Sequence, residues 1–276
     1  MKKVISLDGT AIAYDVTGSG PPLILIDGAL CSRNFGPMPE LAQLLAPYFT
    51  VYTYDRRGRG DSGDTLPYSI EREIEDIHAL IQQAGGSAFV YGISSGAALA
   101  LEAANRLAGI TKVVAYEAPF VVDSTYPPMA EDYLPRLITM VAENRRSDAL
   151  KHFMRRVGMP SLMLAFMQFT PAWPKLKRVA HTLVYDITIV ERNQRGRPLR
   201  PAQWEFVSVP VLVAAGGKSA AWMQNGARAL ADAIPTAKHL TVPGQNHMLK
   251  ASAILPVLKE FFLSASSKAA VAQGVA

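Results

Sequence analysis

Residues 89–104 read FVYGISSGAALALEAA, and their order decides the fold. An apolar and aromatic run ending at Tyr91 meets Gly92-Ile93-Ser94-Ser95-Gly96, and an alanine-rich stretch of helix-forming composition follows. A strand feeding a helix through so short a turn holds its central residue in a strained backbone conformation. The positions two residues to either side must then be small, and Gly92 and Gly96 meet that need. This is the setting of a nucleophile elbow, which lifts the Ser94 hydroxyl above the sheet edge at a helix N-terminus, where backbone N–H groups favour negative charge. The simpler alternative is a strand-to-helix turn whose serine only caps the helix.

Working outward, short apolar runs recur: Leu23 to Ile26, Val51 to Tyr54, Ala88 to Tyr91, Lys112 to Tyr116, Val209 to Ala214 and His239 to Val242. Each is too short for a helix and suits a strand buried on both faces. Helical patterns lie at Ile70 to Gln83, Ala97 to Leu107, Ala220 to Ala233 and Ala253 to Leu263. Strands alternating with helices predict an α/β protein with a mostly parallel central sheet and helices on both faces. At the front of the chain, Asp8-Gly9 between Val4–Leu7 and Ala11–Tyr14 predicts an antiparallel hairpin with a two-residue turn.

The alternation breaks between residues 121 and 205, where helical periodicity and several prolines occur without a convincing strand. The expected organisation is a core of residues 1–120 and 206–264, an inserted helical cap over 121–205, and a frayed tail over 265–276. Met154, Met159, Met163 and Met167, with Phe153, Phe166, Phe169 and Trp173, read as packing; lining an apolar cavity is the alternative. The cap stretch carries 13 Lys or Arg against 8 Asp or Glu, a surplus equal to the net charge of the chain, +5. It reads as a solvated helical surface, with an anionic substrate as the alternative. No nucleic-acid-reading motif accompanies it.

A chain of 276 residues, 49% hydrophobic and 18% charged, can bury a full core. One cysteine, Cys31, leaves no internal disulfide and no cysteine-built zinc site. No run reaches the roughly 18 apolar residues a membrane span needs, and no signal-peptide pattern follows Met1. The expectation is a cytoplasmic protein with a small-molecule substrate, no membrane, nucleic-acid or metal partner, and no cofactor. Gly18-Ser19-Gly20 lacks the strand-to-helix setting of a dinucleotide site. Nothing in the sequence fixes the oligomeric state.

Three markers in order carry a family resemblance. They are the elbow around Ser94, the segment Tyr54-Asp55-Arg56-Arg57-Gly58-Arg59-Gly60-Asp61-Ser62, and Gly244-Gln245-Asn246-His247 after the last strand. Together they resemble the α/β-hydrolase fold, with the match running from residue 3 to about 263. A serine at the elbow separates the chain from the branches that attack with a carboxylate. The resemblance implies a serine hydrolase with an acyl-enzyme intermediate.

A serine needs a base. Of the five histidines, His78 falls in a helix, His152 and His181 in the cap stretch and His239 at a strand start. His247, on a loop beyond a strand end and at the family position, is the expected base. The resemblance places the oxyanion hole at the backbone N–H groups of Ser95 and Ala29. The chain departs from the family in having Asp27-Gly28-Ala29 where His-Gly is frequent, and Asp27 is expected to turn away and bond structurally. The larger departure is Gly216-Gly217-Lys218-Ser219, where the family commonly carries its third triad member as G-x-x-D. Glu117, at the end of the preceding strand, is the expected replacement, with Asp186 as the outside alternative. The expected reaction is cleavage of an ester of a small to medium, largely apolar substrate. Carbon-carbon bond hydrolysis or another acyl-type or lyase reaction at the same site, and non-catalytic binding of a small molecule, are the other readings.

Overall fold

The computed structural model describes residues 1–264, so the expected tail over 265–276 lies outside the described residues. The core elements run β1 (Lys2–Ile5), β2 (Ala11–Thr17), β3 (Pro22–Ile26), α1 (Met38–Leu45), β4 (Thr50–Tyr54), α2 (Ile70–Gln83), β5 (Ala88–Ile93), α3 (Ser95–Ala104) and β6 (Ile110–Tyr116). Five helices follow: α4 (Tyr133–Ala142), α5 (Arg146–Arg156), α6 (Ser161–Met167), α7 (Ala172–Val179) and α8 (Leu183–Val190). The chain returns to the sheet with β7 (Val211–Gly216), α9 (Ala221–Ala233), β8 (Ala237–Val242) and α10 (Ala251–Leu263).

The eight strands form one sheet in the order β1-β2-β4-β3-β5-β6-β7-β8, antiparallel at the β1 and β2 edge and parallel from β4 to β8. Alternation along each buried strand feeds two cores. Ile24, Ile26, Val90, Val113 and Val213 face α2, α3 and α9, while Leu23, Leu25, Tyr91, Ile93, Val114 and Tyr116 face α1 and α10. In α2, Ile74, Ile77, Leu80 and Ile81 fall on one stripe and are buried against the first core. The α/β arrangement read from the strand and helix alternation is the one observed, and α2 has the bounds its periodicity predicts.

Several local expectations need correction. The first hairpin has no two-residue turn: Ile5 pairs with Ala11, Ser6 N–H donates to Thr10 O at 2.9 Å, and Gly9 sits at φ 85°. The loop is Leu7-Asp8-Gly9, with glycine taking the left-handed position that a three-residue connection requires. Strand β7 starts at Val211 and not at Val209, because Pro210 has no N–H to give the ladder. Helix α1 has no counterpart in the sequence reading. The methionine and aromatic set also divides: Met154 and Trp173 are buried, but Met163, Phe166 and Phe169 are exposed.

Candidate active site

Because β3 to β8 run parallel, their C-terminal ends share one edge of the sheet, where α/β proteins gather function. Ser94 follows β5, Glu117 follows β6, Ala29 lies after β3 and His247 after β8. Four non-glycine residues among those described have positive φ, and three of them, Leu30, Ser94 and Glu117, are at this edge. Strain of that kind persists only where the surroundings impose it. Ser94 is held at φ 58°, ψ −128° as the residue before α3. The glycines around it are required by contact: a Cβ at Gly92 would lie 2.3 Å from Gly96 O, and one at Gly96 would lie 2.4 Å from Ile26 O.

The structure brings Glu117 and His247 together. His247 Nδ1 is 2.8 Å from Glu117 Oε2, and the Glu117 side chain is fully buried while the imidazole is 43% exposed. The other oxygen, Oε1, accepts the Gly216 N–H at 2.8 Å and the Ser219 hydroxyl. Serine at the usual acid position therefore donates to an acid supplied from the neighbouring strand. Tyr116 Oη donates to Asn246 O at 2.8 Å, which fixes the loop beside the imidazole.

Ser94, Ser95, Ala29, Glu117 and His247 all line one cavity of about 350 Å³. The N–H groups of Ala29 and Ser95 have no acceptor among the described residues, whereas the Gly28 N–H is taken by Asp27 Oδ1 at 2.9 Å. Asp27 thus turns to its own loop, as expected. Burial pushes its carboxyl up to about 7, against the Gly28 hydrogen bond, the Cys31 thiol and the charges of Arg59 and Arg56.

Asp186, on α8, does not contact His247. It accepts from Arg56 and Arg59 and from the Ser95 hydroxyl at 2.7 Å. Burial acts to raise its carboxyl, but Arg59, Arg56 and the Ser95 hydrogen bond hold it below the ordinary carboxylate range. Arg56 also pairs with Glu73 through two 2.7 Å bonds. This buried network, which joins α8 to the elbow, was missed in the sequence. Its arginines belong to the Tyr54–Ser62 segment, but nothing local pairs them with a residue 127 or 130 positions away.

The cavity wall is mainly apolar, with Phe153, Val157, Ile187, Val190, Trp222 and Met223. Arg156 and Lys218 line it as well. Most basic residues of 121–205 are exposed, in keeping with a solvated surface, and Arg156 departs from that reading because it is half-buried in this wall. Among the described residues no cluster of three or more His, Cys, Asp or Glu is arranged to hold a metal ion, and no helix is long and apolar enough to cross a membrane.

A mostly parallel sheet with a serine elbow at its C-terminal edge is the architecture of an α/β hydrolase. The chain belongs to the alpha/beta hydrolase family, whose model matches residues 11–252. It is 49% identical to an alpha/beta hydrolase from Sphaerobacter thermophilus over 95% of this chain and 100% of that one, with a TM-score of 0.86. An enol-lactonase from Burkholderia xenovorans has the same fold at 21% identity, covering 95% of this chain and 100% of that one with a TM-score of 0.69. It is also similar to the uncharacterized hydrolase YraK of Bacillus subtilis, 29% identical over 154 residues. That match takes in 53% of this chain and spans about half the length of YraK, 55%.

Proposed function

We propose that the protein is a serine hydrolase that cleaves an ester, or a related acyl bond, of a small to medium substrate held beneath a helical cap formed by residues 121–205. The observation that carries this reading is the 2.8 Å contact between His247 Nδ1 and the buried Glu117 carboxylate. With the Nδ1 proton donated to Glu117, the Nε2 lone pair is free to act as the base toward Ser94.

The Ser94 hydroxyl adds to the substrate carbonyl carbon as His247 takes its proton, and the carbonyl π bond becomes the oxyanion. Glu117 stabilises the imidazolium so formed. The Ala29 and Ser95 N–H groups stabilise the oxyanion, a role worth about 3 to 4 kcal/mol per donor in such sites. Collapse of the intermediate expels the alcohol, which takes the proton from His247. Water then attacks the acyl-enzyme by the same sequence, releasing the acid and restoring the Ser94 hydroxyl.

The test is turnover of p-nitrophenyl esters of graded acyl length. The reading expects hydrolysis by the wild type and loss of all turnover above background in Ser94→Ala. Equal rates in the two proteins, or no turnover of any ester by folded wild type, would refute it.

A further inference from the structure

Among the described residues, every charged group on the cavity wall except two has a titratable or oppositely charged side-chain partner. Glu117 holds His247, and Asp186 is held by Arg56 and Arg59. Arg156 and Lys218 are the exceptions. The Arg156 guanidinium, at the C-terminal end of α5, donates to Gln194 Oε1 from Nε at 3.3 Å and from Nη2 at 3.0 Å, and to Pro127 O from Nη1 at 2.8 Å. Both acceptors are neutral, and no carboxylate pairs with Arg156 among the described residues. The guanidinium carries five N–H donors, so two remain, one on each terminal nitrogen.

Its other neighbours hold the group in place without neutralising it. It stacks over the Tyr126 ring, 4.9 Å from the centroid, and Tyr126 stacks on Trp222, which also lines the cavity. A cation fixed between an aromatic face and neutral acceptors, with donors to spare, is built to receive a planar anion. Other arginines of the same helical stretch contrast with it: Arg136 pairs with Asp132, Arg145 with Glu143 and Asp148, and Arg192 with Glu102. Lys218, exposed at the rim two residues after the end of β7, adds a second positive charge to the same cavity.

We propose that the substrate carries a carboxylate in addition to the bond that is cleaved, and that Arg156 binds this carboxylate while the apolar wall receives the carbon chain between the two. The inference rests on the hydrolase reading and sharpens its substrate class to half-esters of short dicarboxylic acids or comparable acyl compounds. Arg156 is a specificity-determining residue in this account and takes no part in the chemistry at Ser94.

The experiment compares kcat/KM for monoethyl and diethyl adipate in wild type, Arg156→Met, Arg156→Gln and Arg156→Lys. A hydrogen bond to a charged group is worth about 1.5 to 3 kcal/mol, so the half-ester to diester ratio is expected to fall about 10- to 100-fold in the Met and Gln variants. The Lys variant should recover part of it. A purely structural role for Arg156 predicts instead that both substrates slow together and the ratio stays fixed. The Gln variant retains hydrogen-bonding capacity toward its neighbours and serves if the Met variant fails to fold. A second arm measures adipate binding to Ser94→Ala by calorimetry, with and without Arg156→Gln. If no ester is turned over but adipate binds in an Arg156-dependent way, the hydrolase reading falls and the anion site stands. A ratio unchanged by neutralising Arg156, or absence of adipate binding to folded Ser94→Ala, overturns the proposal.

Discussion

Replacing Glu117 by Gln tests the orientation of the base with almost no change in volume. The Gly216 N–H and the Ser219 hydroxyl both point at Oε1, so the carboxamide oxygen should take that position. The NH₂ group is then turned toward His247 Nδ1, where the native contact is 2.8 Å. An amide donor there forces Nδ1 to accept, puts the ring proton on Nε2 and leaves no lone pair for the Ser94 proton. In the serine-protease template the equivalent change costs about 10⁴ in turnover. The His247 side chain is 43% exposed, so water can support part of the working tautomer and the imidazolium charge. The expected loss is therefore nearer 10³-fold in kcat, about 4 kcal/mol in activation free energy, with little change in KM. Stopped-flow acylation with a p-nitrophenyl ester reads this directly. A loss below about 10-fold, in a variant whose thermal unfolding matches wild type, would refute the assignment of Glu117 as the group that orients His247.

Removing the Ser219 hydroxyl in Ser219→Ala leaves Glu117 Oε1 with only the Gly216 donor, and one hydrogen bond of this kind predicts a fall in kcat of about 3- to 30-fold by steady-state assay. Gly96→Ala places a Cβ 2.4 Å from Ile26 O and 2.5 Å from Asp27 O, both backbone atoms that cannot yield; thermal unfolding should show a variant destabilised by several kcal/mol or unfolded. Asp186→Asn leaves the buried Arg59 without a carboxylate, while Arg56 keeps Glu73, and breaking a buried pair costs about 3 to 5 kcal/mol, readable by urea unfolding. Asp27 titrates near 4 when unfolded and at about 7 when folded, so folding takes up a proton between those values. Its contribution to stability is complete below pH 4 and is lost as pH rises through 7. Asp27→Asn should remove that dependence, making the variant less sensitive than wild type to a change from pH 5 to pH 8 in urea unfolding, by about 2 to 3 kcal/mol.

The parts of the fold legible in the sequence are those governed by local periodicity. The strand runs from Leu23 to Val242 are continuous because parallel strands are covered on both faces, and the α2 stripe is plain because one face of that helix is solvated. Helix α1 escaped because its eight residues follow an irregular loop and begin at Met38-Pro39, without a side-chain cap. At the site, Ser94 and His247 were marked by backbone requirements that glycine neighbours advertise. Glu117 was proposed from its place at a strand end, and the positive φ it adopts beside His247 has no sequence signal. The Arg56, Arg59 and Asp186 network and the half-buried setting of Arg156 depend on contacts between distant segments. Composition registers Arg156 only as part of the basic surplus of residues 121–205 and gives no sign of the network.

The most direct test of the central claim is the intact mass of the protein after exposure to a fluorophosphonate, with Ser94→Ala treated in parallel. The account predicts one covalent adduct on wild type, mapped to Ser94, and none on the variant. Unmodified wild type, or an adduct that persists in Ser94→Ala, would contradict a nucleophilic Ser94.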